Sequence, residues 1–99
     1  MSSITKADII DKISKSTGIS KIETKAVVEG IIASILEAVI EGNKVELRGF
    51  GVFNSKKRKA RQARNPRTGE IVELKERFVP LFKPSTEFAQ KVNDNLSKQ

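Results

Sequence analysis

The sequence predicts an α+β domain: two N-terminal helices, a three-stranded antiparallel sheet with a long protruding β-hairpin arm, and a C-terminal helix. Three observations carry that prediction. Apolar residues recur at helical spacing up to about residue 43 and again after Ser85, with capping residues at the helix starts. Between these segments the hydrophobicity alternates with period two. Within that middle part, residues 56–67 hold seven Lys or Arg and no acid, and the run closes on Asn65-Pro66-Arg67-Thr68-Gly69, a turn-forming sequence.

The first helix begins at Thr5, whose hydroxyl can accept from the free amides of the first turn, with Ile4 placed to pack on Ile9 as a hydrophobic staple. Ile9, Ile10 and Ile13 form its apolar stripe, and Gly18 is placed to end it in a left-handed cap. Ser20-Lys21-Ile22-Glu23 opens a second helix with the Ser-x-x-Glu capping pattern, and Gly42-Asn43 stops it. At about 100° per residue, Val27, Val28, Ile31, Ile32, Ile35, Leu36, Ala38 and Val39 fill one arc, extended by Ile22, Ala33 and Ile40. Glu23, Gly30, Ser34, Glu37 and Glu41 occupy the narrow remainder. A helix resting on one small core needs an apolar stripe of little more than about 100°, and this arc is roughly twice that. Two faces therefore need cover in a short chain, which a second copy supplies in a two-fold dimer. A mainly buried helix of a monomer is the alternative.

Lys44-Val45-Glu46-Leu47-Arg48 alternates as a strand, and Gly49-Phe50-Gly51-Val52-Phe53 follows with glycines that allow a tight reversal or bulge above Phe50 and Phe53. From Val52 a strand enters the basic run, turns at Asn65 to Gly69 and returns over Glu70–Phe78. Val79-Pro80-Leu81-Phe82-Lys83-Pro84 is expected extended, its prolines ending the ladder. Ser85 caps the last helix, with Phe88, Ala89, Val92 and Leu96 on its inner side. The chain is thus expected to form one domain over 1–99: a helical dimerisation part to about 43, sheet and arm over about 44–84, and a helix over about 85–97.

Charge narrows the function. The chain has 19 basic and 12 acidic residues, and its whole net charge of +7 equals the seven cations of the run. That is a device for meeting a polyanion on an otherwise balanced body. No apolar run approaches the roughly 20 residues that span a bilayer, and the start lacks the layout of a signal peptide. With no Cys and no His, disulfides, thiolate ligands and the usual neutral-pH general base are absent. The carboxylates are dispersed, so an enzyme is not expected, nor a cofactor, a metal or a small-molecule substrate.

From Phe53 to Asn65 a strand runs about 40 Å, against a radius of gyration near 13 Å for a domain of this length. The ribbon should overhang its body, and a two-stranded ribbon alone is marginal in water. Phosphates relieve the mutual repulsion of its cations and release counterions as they bind. Pro66 at the tip has two readings. It is a turn proline in ordinary Asn-Pro-x-x-Gly chemistry, or an apolar wedge that enters a base step from the minor groove and kinks the duplex.

Thr5-Lys6-Ala7-Asp8, Gly49-Phe50-Gly51-Val52-Phe53, Arg64-Asn65-Pro66-Arg67-Thr68-Gly69 and Val79-Pro80-Leu81-Phe82 together resemble the HU/integration host factor family of bacterial histone-like DNA-bending proteins, over essentially the whole chain. The resemblance implies an intertwined dimer of identical or related chains, cytoplasmic and nucleoid-associated, whose arms embrace double-stranded DNA through the minor groove. Pro66 would intercalate, and Arg58, Arg61 and Arg64 would meet phosphates and groove edges, with Asn65 and Arg67 beside the tip. Lys56, Lys59, Lys75, Arg77 and Arg48 complete the DNA-binding candidates. Val45-Glu46-Leu47-Arg48-Gly49-Phe50-Gly51, Val72-Glu73-Leu74 and Phe82-Lys83-Pro84 are more similar to the integration host factor beta chain than to typical HU. Glu46 and Arg48, two apart on one strand face, either aim the Arg at a groove or form a surface ion pair. Ala63 stands where the family commonly has Gly, and Ser85-Thr86 where it usually has Gly-Lys; the loss of that Lys weakens the expectation of phosphate contacts on the body's flank. The rival function is an RNA-binding or ribosome-associated basic domain. Readers of single-stranded RNA present exposed aromatics for stacking, whereas the five Phe here fall at expected core positions and none on the arm.

Overall fold

The computed structural model describes residues 2–98, which divide into two compact units. The division falls inside the second helix, between Glu37 and Ala38. The elements are α1 (Lys6–Thr17), α2 (Lys21–Ile40), β1 (Val45–Leu47), β2 (Gly51–Arg58), β3 (Arg61–Arg64), β4 (Ile71–Leu74), β5 (Arg77–Pro84) and α3 (Thr86–Leu96).

In the first unit, the start of α1 is a reciprocal capping box. Thr5 Oγ1 accepts from the Asp8 amide at 3.2 Å, and Asp8 Oδ2 accepts from the Thr5 amide at 2.9 Å. Gly18 ends the helix at φ +80°, its amide donating to the Ser14 carbonyl, as the sequence requires. Ser20 Oγ accepts from the Glu23 amide at 3.2 Å, which is the outward half of the expected box. Buried residues are few: Ile10 on α1, and Thr24 on α2, whose hydroxyl donates to the Ser20 carbonyl at 2.8 Å. That bond lets a polar group occupy an inner position. The apolar arc of α2 splits: Val28 and Ile35 are half-buried, while Ile22, Val27, Ile31, Ile32 and Leu36 are exposed. Ile4 and Ile9 are also exposed, at 76% and 45%.

Asp11 bridges α1 to the start of α2. Its carboxylate lies 2.9 Å from Lys21 Nζ and 3.0 Å from Lys15 Nζ, and Glu29 lies 2.7 Å from Lys6 Nζ. Hydrogen bonds from Lys21 and then Lys15 hold the Asp11 pKa below the usual carboxylate range, and Lys6 does the same for Glu29. A lowered folded-state pKa means stabilisation that is present above the unfolded value and lost as pH falls through the folded one. The thermal midpoint should therefore decline on acidification below about pH 4, and Asp11→Asn should flatten that decline in a melting series followed by circular dichroism.

In the second unit, β1, β2 and β5 form an antiparallel sheet in the order β1-β2-β5. Val45 faces Phe53 on one side of β2, and Phe53 faces Phe82 on the other. Four of the five Phe form one cluster. Phe53 and Phe82 ring centroids lie 4.7 Å apart, and Phe50 lies 5.1, 5.7 and 6.0 Å from Phe82, Phe88 and Phe53. Ser85 ties the start of α3 to the turn before β2: its amide donates to the Phe50 carbonyl at 2.9 Å and its hydroxyl to the Gly49 carbonyl at 3.0 Å. The same hydroxyl accepts from the Phe88 amide at 3.1 Å, capping α3. On α3, Phe88 is half-buried, whereas Val92 and Leu96 are exposed at 43% and 58%.

Three expectations change here. The segment Val79–Pro84 pairs with β2 along its length, with Pro80 opposite Ser55 and Pro84 opposite Gly51. The prolines do not end the ladder because β5 is an edge strand, where a missing N–H costs no inner bond. Arg48 lies outside β1, in the turn, and Glu46 pairs with Lys44 at 2.9 Å rather than with Arg48. The strand ends at Leu47, so Arg48, in the turn, is not held by the pleat on the face of Glu46. Finally, the arm is two ladders rather than one.

Candidate nucleic-acid interface

β1 runs beside β2 only over Gly51–Phe53, so from Asn54 outward β2 has β5 as its sole neighbour and the sheet becomes a two-stranded ribbon. This inner ribbon ends at the pairs Lys57↔Phe78 and Arg58↔Arg77. Lys59 and Ala60 on one side, and Lys75 and Glu76 on the other, are unpaired. The outer ribbon then begins at Arg61↔Leu74 and continues through Gln62↔Glu73 and Ala63↔Val72 to Arg64↔Ile71. Two residues are left out on each strand, so the outer ladder keeps the register of the inner one.

The turn is held by its own hydrogen bonds. The Asn65 amide donates to the Glu70 carbonyl at 2.8 Å, closing the ladder, and the Gly69 amide donates to the Asn65 carbonyl at 2.8 Å. Asn65 Oδ1 accepts from the Arg67 amide at 2.9 Å, a turn made by the side chain itself. Gly69 reverses the chain at φ +75°, a conformation that side chains disfavour. Asn65 is half-buried by these bonds, while Pro66 and Arg67 stand exposed at the end. Proline fits the second turn position because it has no N–H to satisfy, and its ring is left facing solvent.

The cations are presented free. None of the six arginines is in an ion pair among the described residues, and Lys56, Arg58, Lys59, Arg61, Arg64, Arg67, Lys75 and Arg77 are all exposed. Lys57 is the exception within the basic run: its ammonium lies 3.1 Å from Glu76. The ribbon gathers all the candidate residues except Arg48, which sits beyond the opposite end of β2 from the tip. Phe78 was missed as an exposed group. It stands on the inner ribbon opposite Lys57, 71% exposed and outside the ring cluster, so the arm does carry an aromatic. Its alternation with Val79 and Arg77 was visible in the sequence, but which face the sheet covers was not.

Residues 4–93 match a family model described as bacterial DNA-binding protein. The integration host factor subunit beta of Marinobacter nauticus is 40% identical over 96 residues, covering 96% of this chain and 98% of that one. The DNA-binding protein HU of Thermus thermophilus is 40% identical over 89 residues, 90% of this chain and 92% of that one. Among solved structures, an Anabaena HU–DNA cocrystal structure superposes with a TM-score of 0.81 at 38% identity, covering 90% of this chain and 97% of the other. No described helix is long and apolar enough to cross a membrane.

Proposed function

Because the chain belongs to the bacterial DNA-binding protein family, we propose that it is an architectural protein that binds duplex DNA through the minor groove and bends it. The observation that carries this reading is the exposed Pro66 at the tip of a ribbon whose cations, Lys57 apart, are in no ion pair among the described residues. The Lys and Arg side chains neutralise phosphates on both sides of the groove. Pro66 then enters a base step as an apolar wedge, trading stacking energy for a bent duplex that meets more protein surface. Smooth bending of a 20–30 base-pair site costs on the order of 1–6 kcal/mol, which phosphate contacts and wedge insertion must offset.

The functional unit is a dimer of this chain with itself or a close relative. Its support is the exposed apolar face of α2, where Ile31 and Leu36 are 54% and 57% accessible, together with the uncovered Val92 and Leu96 of α3. Two arms on one dimer clasp the duplex from both sides. On this reading the protein acts without catalysis and, as a DNA-bound protein of this family, resides with the nucleoid in the cytoplasm. The DNA-binding residues are Lys56, Arg58, Lys59, Arg61, Arg64, Asn65, Arg67, Lys75 and Arg77, with Pro66 intercalating and Arg48 a separate, outlying contact.

The reading is tested by a gel shift of the purified chain on intact, nicked and random-pool duplexes over a salt series, with single-stranded RNA as competitor. Nicked DNA should bind most tightly because its bending cost is lowest, and log affinity should fall steeply with log salt, at about 0.9 per phosphate contacted. Equal competition by single-stranded RNA would instead make Phe78 a stacking platform and favour the RNA-binding reading.

A further inference from the structure

The two-ladder arm places like charges opposite one another at the point where pairing stops. Arg58 and Arg77 are cross-strand partners in the last pair of the inner ribbon, and both are exposed and in no ion pair among the described residues, the neighbouring Glu76 being taken by Lys57. Like charges directly opposite destabilise a ladder. Arg77 Nη1 reaches to 3.5 Å from the Lys75 carbonyl oxygen, inside the unpaired stretch, so one guanidinium leans over the gap. On the other face of the same ribbon Lys57 is neutralised by Glu76. The inner ribbon is therefore two-sided: one face has its cation satisfied, and the other presents Lys56, Arg58 and Arg77 together.

We infer that Arg58 and Arg77 form one binding site for a single backbone phosphate, and that its occupancy lets pairing continue across Lys59–Ala60 and Lys75–Glu76. A phosphate between two opposed guanidinium groups turns their repulsion into two charge-assisted contacts. The outer and inner ladders already share a register, so closing the gap requires no slip of either strand. The outer ribbon, with Pro66 at its end, is then aligned with the inner one only once DNA is held at the gap. Phosphate capture at Arg58 and Arg77 thus precedes and directs wedge insertion. This rests on the duplex-binding reading, and it adds a shared site and an order of events.

The test uses the full chain and a duplex of 20–30 base pairs. Binding is measured against salt for Arg58→Ala, Arg77→Ala and the double variant. If one phosphate is shared, each single variant keeps it neutralised through the remaining guanidinium, so affinity falls while the salt slope stays near that of the parent chain. The double variant then loses about 0.9 of slope per arm. Losses of about 0.9 per arm in each single variant and about 1.8 per arm in the double would mean two separate phosphates and overturn the shared site. A second readout is amide hydrogen exchange in the DNA-free protein. Arg58→Glu converts the opposed pair to opposite charges and should slow exchange at residues 59–62 and 73–76. Unchanged exchange there overturns the coupling to the gap. Absence of duplex binding by the parent chain would be a failure of the proposed function itself, and the two failures are distinguishable in the same titration.

Discussion

Gly51→Ala lowers the thermal midpoint by roughly 12–24 °C, corresponding to about 3 kcal/mol at the usual scaling for a domain of this size. A Cβ on Gly51 would lie 2.5 Å from the Lys83 carbonyl oxygen and 2.6 and 2.7 Å from atoms of the Phe82 ring. Neither neighbour has room to yield. The carbonyl is backbone of the adjacent strand, and the ring is packed against Phe50 and Phe53. The clash therefore separates β2 from β5 at the root of the ribbon, and DNA affinity should fall with stability. Gly49→Ala is the control. Gly49 is at φ +82° with nothing within 4 Å of the added atom, so it meets only the left-handed backbone penalty of about 1–2 kcal/mol. Equal melting of Gly51→Ala and the parent chain would show that the strand approach is looser than described.

Leu36→Ala weakens dimerisation by two to four powers of ten. Leu36 is 57% exposed on the apolar arc of α2, one turn before the helix ends at Ile40. Burying such a side chain is worth about 1.5–3 kcal/mol, and two-fold symmetry counts it twice, giving about 3–6 kcal/mol per dimer. Sedimentation equilibrium reads the change directly. Because the isolated chain has so little buried apolar surface, with Ile10 the buried hydrophobic among the described residues, loss of helicity should accompany dissociation. A monomeric parent chain with full helicity would assign the α2 face to some other cover.

Much of this was legible in the sequence because it depends on local chemistry. Thr5 with Asp8, Gly18 and Ser85 set helix limits through neighbours within a few residues, and all three do so here. The apolar excess of α2 was visible because helical periodicity is a property of the segment alone. The basic run and its turn were legible for the same reason. What depended on pairing between distant strands was not. The opposition of Arg58 and Arg77, the gap beside them and the exposure of Phe78 follow from a register shared by residues about twenty apart, which no local pattern encodes. The two glycines of the Gly-Phe-Gly turn show the same division. Gly49 is explained by its backbone angle, a local matter, whereas Gly51 has no positive φ and is required by a strand and a ring far along the chain. Thr24 is polar and buried, its hydroxyl donating to the Ser20 carbonyl one turn back.

Affinity and bending are carried by different parts of the ribbon, and Pro66 separates them. Its ring contributes no charge, so Pro66→Ala should leave the salt slope of binding intact and remove the wedge. The direct measurement is fluorescence energy transfer between dyes at the two ends of a 20–30 base-pair duplex, read at saturating protein. The expected result is high transfer with the parent chain and a clearly lower value with Pro66→Ala, while both bind nicked DNA with similar affinity. Equal transfer at saturation for the two proteins would contradict the account, because the bend would then arise without the proline.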